Sequence, residues 1–145
     1  MEIYDLLRED HARMLARVRR LASHPRNGTE LEALKSHFEF HDLFEREILY
    51  PAIMTAPGGA GATEQALAEH EQLELLIEEL TVPPADGAED LNWREQMSSI
   101  ARSLETHITR EEGPLFELAH GSISAGDAAD MAEKYRAARR KLLDA

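Results

Sequence analysis

The sequence predicts an all-α protein: an antiparallel four-helix bundle followed by one further helix. Apolar residues recur at spacings of three and four over long stretches, the mark of amphipathic helices. Short segments rich in proline, glycine and small polar residues separate the stretches. Valine and isoleucine are sparse, and no segment alternates apolar and polar as a half-buried strand would.

The first helix is expected over about 2–22, where Leu7, His11, Met14, Val18 and Leu21 form one narrow stripe. Ser23 to Gly28 reads as a turn. Thr29, with Glu32 three residues on, predicts a capping box opening the second helix. That helix is expected to run to Tyr50, ahead of Pro51, with a ragged end to Met54. Ala56 to Ala62 reads as a loop, and Thr63 as the cap of a third helix ending near Leu80. It is not a phosphate-binding loop, since no lysine follows the glycines. Val82 to Asp90 is a second loop. The fourth helix is expected over Leu91 to Glu112, where Gly113-Pro114 breaks or kinks it. One more turn can follow over Leu115 to Ala119. Ser124 and Asp127 predict the start of a C-terminal helix over about 124–143, with Met131, Tyr135, Ala138 and Leu142 as its apolar stripe. Its basic run, Arg136 to Lys141, reads as a solvated face.

The 145 residues suit a single domain, the bundle occupying about 2–120. The absence of cysteine excludes disulfides, thiolate metal sites, iron–sulfur clusters and cysteine nucleophiles. A net charge of −12 argues against nucleic-acid or anionic-membrane partners. No apolar stretch approaches the ~20 residues of a membrane span, and no signal peptide is visible, so a cytoplasmic location is expected.

The halves of the chain repeat. Asp10-His11 leads Met14, Val18 and Leu21, as Glu69-His70 leads Leu73, Ile77 and Leu80. His41, Glu45, Leu49 and Tyr50 match His107, Glu111, Leu115 and Phe116. In each H-x-x-x-E the two side chains lie ~40° apart around a helix and ~6 Å apart along it, close enough to serve one site. Leu34 and Ile48 lie within about 20° of His41, so its face is the buried one. Ile100 and Leu104 place His107 likewise, and Ile77 places His70.

Buried imidazoles and carboxylates cost several kcal/mol each unless paired. Four histidines and two glutamates converging on a core suit a dinuclear metal site. Each ion would take two imidazoles and one oxygen from each of two bridging carboxylates, with positions left open for a small ligand. Such donors suit iron, manganese or zinc. A Glu-x-x-His pair, the ferritin-like di-iron pattern, is absent. H-E-x-x-H and Gly-x-Ser-x-Gly are absent too. His37, one turn before His41, is a fifth histidine ligand, an outer hydrogen-bond donor or a channel residue. Glu74, one turn after His70, is solvent-facing, an outer partner of the ligands or an additional ligand. Asp42 beside His41 is a further alternative. Phe38, Phe44, Tyr50 and Phe116 are expected in the bundle core, where they can also line a small-ligand pocket beside the metals, Trp93 as a packing anchor, and His24 and His120 on the surface.

The runs D10-H11, H41-D-L-F-E45-R-E-I-L-Y-P51, E69-H70 and H107-I-T-R-E111-E-G-P-L-F116 resemble the hemerythrin-like, or HHE cation-binding, domain family. The most specific piece is His41 to Pro51. The resemblance implies a non-haem di-iron centre inside the bundle, with His11, His41, His70 and His107 as terminal ligands and Glu45 and Glu111 as bridges. In oxygen-carrying hemerythrins a second histidine occupies the position of Glu74, which argues against reversible oxygen carriage here. The resemblance implies a small ligand or substrate: dioxygen, peroxide or nitric oxide. Three function classes are compatible with it. They are a binding or sensing module, a catalase-like or oxidase-like enzyme, and an iron- or zinc-handling protein without redox turnover.

Overall fold

The computed structural model describes residues 2–24, 28–80 and 91–144. Residues 25–27 of the expected first turn and the expected loop over 82–90 lie outside these. The described residues are helical throughout apart from short turns. Helix α1 spans Ile3–Ser23, and α2 spans Gly28–Phe44. A π-turn over Glu45–Leu49 carries α2 into the short α3, Tyr50–Ile53. Helix α4 spans Gly59–Glu78 and α5 spans Leu91–Arg110. A second π-turn, Glu111–Leu115, leads into α6, Phe116–Ser122, and α7 spans Ala125–Asp144.

Two expectations at helix ends are corrected. Thr29 lies inside α2, whose first turn is held against α1 by Glu30, 3.2 Å from both Arg17 and Arg20. Thr63 lies inside α4 and does not cap it; its hydroxyl donates to the carbonyls of Gly59 (2.9 Å) and Ala60 (3.1 Å). The helix starts early because Gly58 adopts φ +78°, which glycine tolerates, and Gly59 nestles against Ile53. Gly113-Pro114 lies where α5 is interrupted, as expected, but helicity continues: the proline, which lacks an N–H donor, sits in the π-turn, where the Phe116 N–H bonds to the Glu111 carbonyl. The expected cap of α7 forms: the Asp127 N–H donates to Ser124 Oγ at 3.1 Å.

The apolar side chains form two layers. One contains Leu7, Phe44, Ala66 and Leu115; the other contains Met14, Phe38, Leu73 and Leu104. His11 lies between Leu7 and Met14, His41 between Phe38 and Phe44, His70 between Ala66 and Leu73, and His107 between Leu104 and Leu115. Chain direction between the layers therefore reverses at each successive long helix, as in an antiparallel bundle. The four histidines occupy one polar stratum between two dry ones. Helix α7 caps the first layer through Met131, Ala132 and Tyr135, the last set 5.4 Å from the Phe40 ring and 5.3 Å from the Phe44 ring. No described helix is long and apolar enough to cross a membrane.

Candidate metal centre

The polar stratum brings together all six residues expected to meet. His11, His41, His70, His107, Glu45 and Glu111 are each at most 1% exposed. Donor atoms of His11, His41, Glu45, His107 and Glu111 lie within 4.8 Å of one another. His70 joins them, its Nε2 lying 3.1 Å from Glu45 Oε1 and 3.0 Å from His107 Nε2. Both glutamates begin π-turns, at equivalent places in the repeat. π-turns inside α-helices occur frequently at functional sites.

Each core histidine is gripped from behind by a carboxylate. Nδ1 of His11 donates to Glu112 (2.9 Å), of His41 to Asp10 (2.7 Å), of His70 to Asp42 (2.8 Å) and of His107 to Glu69 (3.2 Å). A carboxylate only accepts, so Nδ1 carries a proton and Nε2 is the nitrogen left to offer a lone pair to a cation. Four Nε2 atoms and two carboxylates thus face one buried volume. Nε2 of His11 and His41, Oε2 of Glu45 and Oε1 of Glu111 have no hydrogen-bond partner. His11 Nε2 and Glu111 Oε1 stand 3.3 Å apart without hydrogen-bond alignment. Two ligands of one ion at ~2.1 Å stand side by side in this way. The donor set fits metal, and outer carboxylates of this kind fix tautomer and ring direction in metal sites.

Without a cation, protons compensate the carboxylates. Burial disfavours charge on His41, but Glu45 and Asp10 outweigh it and raise its pKa to about 10. Burial disfavours charge on His11 and His107 too, yet the surrounding carboxylates, Glu111 foremost, raise both. Burial pushes Glu45 up, but the adjacent His41 and hydrogen bonds hold it well below the ordinary carboxylate range.

His37 does not join the donor cluster. Its Nε2 donates to Asp10 at 2.6 Å and its Nδ1 accepts from Arg17 at 3.2 Å, so it supports His41 through Asp10. Glu74 is exposed on the outer face of α4. Asp42 grips His70 from outside the donor cluster. Tyr50, expected in the core or along the ligand pocket beside the metals, is a hydrogen-bonding member of the site. Its hydroxyl donates to Glu111 Oε2 at 2.7 Å and lies 3.2 Å from Glu45 Oε1 and 3.3 Å from His70 Nε2. Its counterpart in the repeat is Phe116, which has no hydroxyl, so the phenol breaks the pseudo-twofold symmetry. That Tyr/Phe mismatch was the visible signal for it.

A family model for the Hemerythrin HHE cation binding domain matches residues 2–119. This chain belongs to the hemerythrin HHE cation-binding domain family. The buried histidine–glutamate stratum lies wholly within the matched segment, and α7 follows it. A DNA nickase of Nostoc sp. is 22% identical over 149 aligned residues, covering 98% of this chain and 40% of the nickase. The chain thus spans less than half the length of that relative. No solved structure matches the chain. In this hemerythrin HHE domain the four buried histidines sit on the four long helices, each held by an outer carboxylate.

Proposed function

We propose that this domain holds two non-haem iron ions and uses them, in the cytoplasm, to bind or react with a small oxidant: dioxygen, peroxide or nitric oxide. The observation that carries the reading is the four Nδ1–carboxylate pairs, which turn four Nε2 atoms toward Glu45 and Glu111. His11, His41, His70 and His107 would be terminal ligands, and Glu45 and Glu111 would bridge. Iron bound there supplies a redox couple and an open position for a small ligand. The chain supplies the rest. The outer carboxylates raise imidazole basicity. Tyr50 holds a proton between the two glutamates. The two apolar layers exclude bulk water. Manganese and zinc accept the same donors. The reading leaves out DNA, whose phosphates a chain of net charge −12 repels.

Elemental analysis of protein from iron-replete cells, with an absorption spectrum of the same aerobic sample, tests this. Two irons per chain with ferric charge-transfer absorption support it. Stoichiometric zinc points instead to metal handling without redox turnover. Peroxide consumption lost in His70→Ala and Glu111→Ala identifies an enzyme, and ligand binding without consumption identifies a binding or sensing module.

A further inference from the structure

One cleft descends from the surface to the donor cluster. It lies between α4 and the α5–α6 junction, encloses about 220 Å³, and reaches His107 and Glu111. Its lining grades from exposed Gln65, Arg110 and Pro114 to buried Ala66, His107 and Glu111. That volume is below the ~300–1,000 Å³ of pockets that take drug-sized ligands. Ala62 and Ala66, one helical turn apart on α4, keep that wall low. Arg110 stands at the mouth, Nη1 donating to Glu69 Oε2 at 2.6 Å; the other oxygen of Glu69 accepts from His107 Nδ1 at 3.2 Å. A cation, paired with Glu69, therefore marks the way in to the histidine–glutamate cluster. The same carboxylate ties it to a candidate ligand.

We propose that small ligands reach the centre through this cleft, and that the Arg110 guanidinium favours small anions over neutral molecules. The inference rests on the metal reading above for its ligand kinetics, but the route itself can be read without metal. In the iron-loaded protein, azide and nitric oxide binding are followed by stopped-flow absorption. Ala62→Phe, a partly exposed position, is expected to slow both by about tenfold or more, because a blocked route must open by fluctuation. Ala66→Val, a smaller change, is expected to slow both less. Ala33→Phe adds equal bulk in a different cleft, beside Asp10 and His37, and is expected to leave both rates unchanged. Arg110→Gln is expected to slow azide by about tenfold through lost steering and to leave nitric oxide unchanged. In metal-free protein, dissolved dioxygen under pressure is expected to broaden the Ala66 and Leu115 methyl resonances in wild type and not in Ala62→Phe. Unaltered rates in both alanine variants, or methyl resonances that dioxygen does not touch, overturn the route. Equal effects of Arg110→Gln on azide and nitric oxide overturn its role in selection. Wild-type protein that takes up no metal sinks the metal reading while the dioxygen experiment still decides the route.

Discussion

Asp10 grips two histidines at once, His37 at 2.6 Å and His41 at 2.7 Å, and it is 1% exposed. Burial opposes its charge, yet the hydrogen bonds from His37 and His41 hold its pKa well below the usual carboxylate range. An asparagine there keeps the shape but loses one accepting oxygen and the charge. Asp10→Asn is therefore expected to weaken metal binding by about 10–100-fold, the usual effect of removing an outer partner; competition against a chelator of known affinity measures it. His37→Gln, one step further out, is expected to have a smaller effect in the same assay. Tyr50→Phe keeps the ring and removes a hydroxyl that donates to Glu111. Hydrogen bonds to charged groups contribute about 1.5–3 kcal/mol, so the metal-free variant should lose stability of that order in urea titration.

At the scale of elements, the two π-turns and the α3–α4 corner shape the site most. Gly59 starts α4 where a Cβ would overlap the Ile53 carbonyl oxygen, with no flexible side chain to yield. Gly59→Ala must displace backbone and is expected to cost about 2 kcal/mol or more. Gly113 sits in the second π-turn, exposed, with ordinary negative φ, and an added methyl would meet nothing within 4 Å. Gly113→Ala is expected to be neutral or to stabilise by about 0.5–1 kcal/mol, through a less flexible unfolded chain. Denaturant midpoints of the two variants, measured side by side, should move in opposite directions or differ by at least the cost of Gly59→Ala.

For the molecule as a whole, a polar stratum between two apolar layers makes stability depend on what neutralises it. Metal binds the folded state, so stripping it should lower the thermal midpoint, by an amount that grows with affinity. Metal-free protein should also depend on pH. His41 is raised from its ordinary value of 6.5 to about 10 by Glu45 and Asp10 against the opposing effect of burial. Its stabilising contribution is complete below the unfolded value and is lost as pH rises through about 10. The thermal midpoint of the metal-free form should thus fall between those pH values, whereas metal affinity should rise there, because metal displaces the proton. His41→Leu and His107→Leu provide a further check. They should abolish metal binding; if instead they leave a more stable bundle with unchanged metal content, the stratum is not a metal site.

The periodicity of the chain by itself determined the helices and the face each histidine shares with its leucines, because helix geometry is local. His11 on the Leu7–Val18 stripe and Glu45 one turn after His41 could be placed in the core without knowing any neighbour. The outer carboxylates could not. Asp10 and Glu69 each precede a histidine by one residue, about 100° around the helix, so each turns away from it. They instead reach His41 and His107 on the adjoining helices, and only the packed register of two helices decides such a partnership. The bonds of Tyr50 to the glutamates were hidden for a different reason. On a regular helix the tyrosine would lie about 140° from Glu45; the i→i+5 turn brings it back above Glu45 and into the site. The early start of α4 depended in the same way on a close approach of Gly59 to Ile53. Local pattern determined which residues face inward, and tertiary packing decided which of them hold one another.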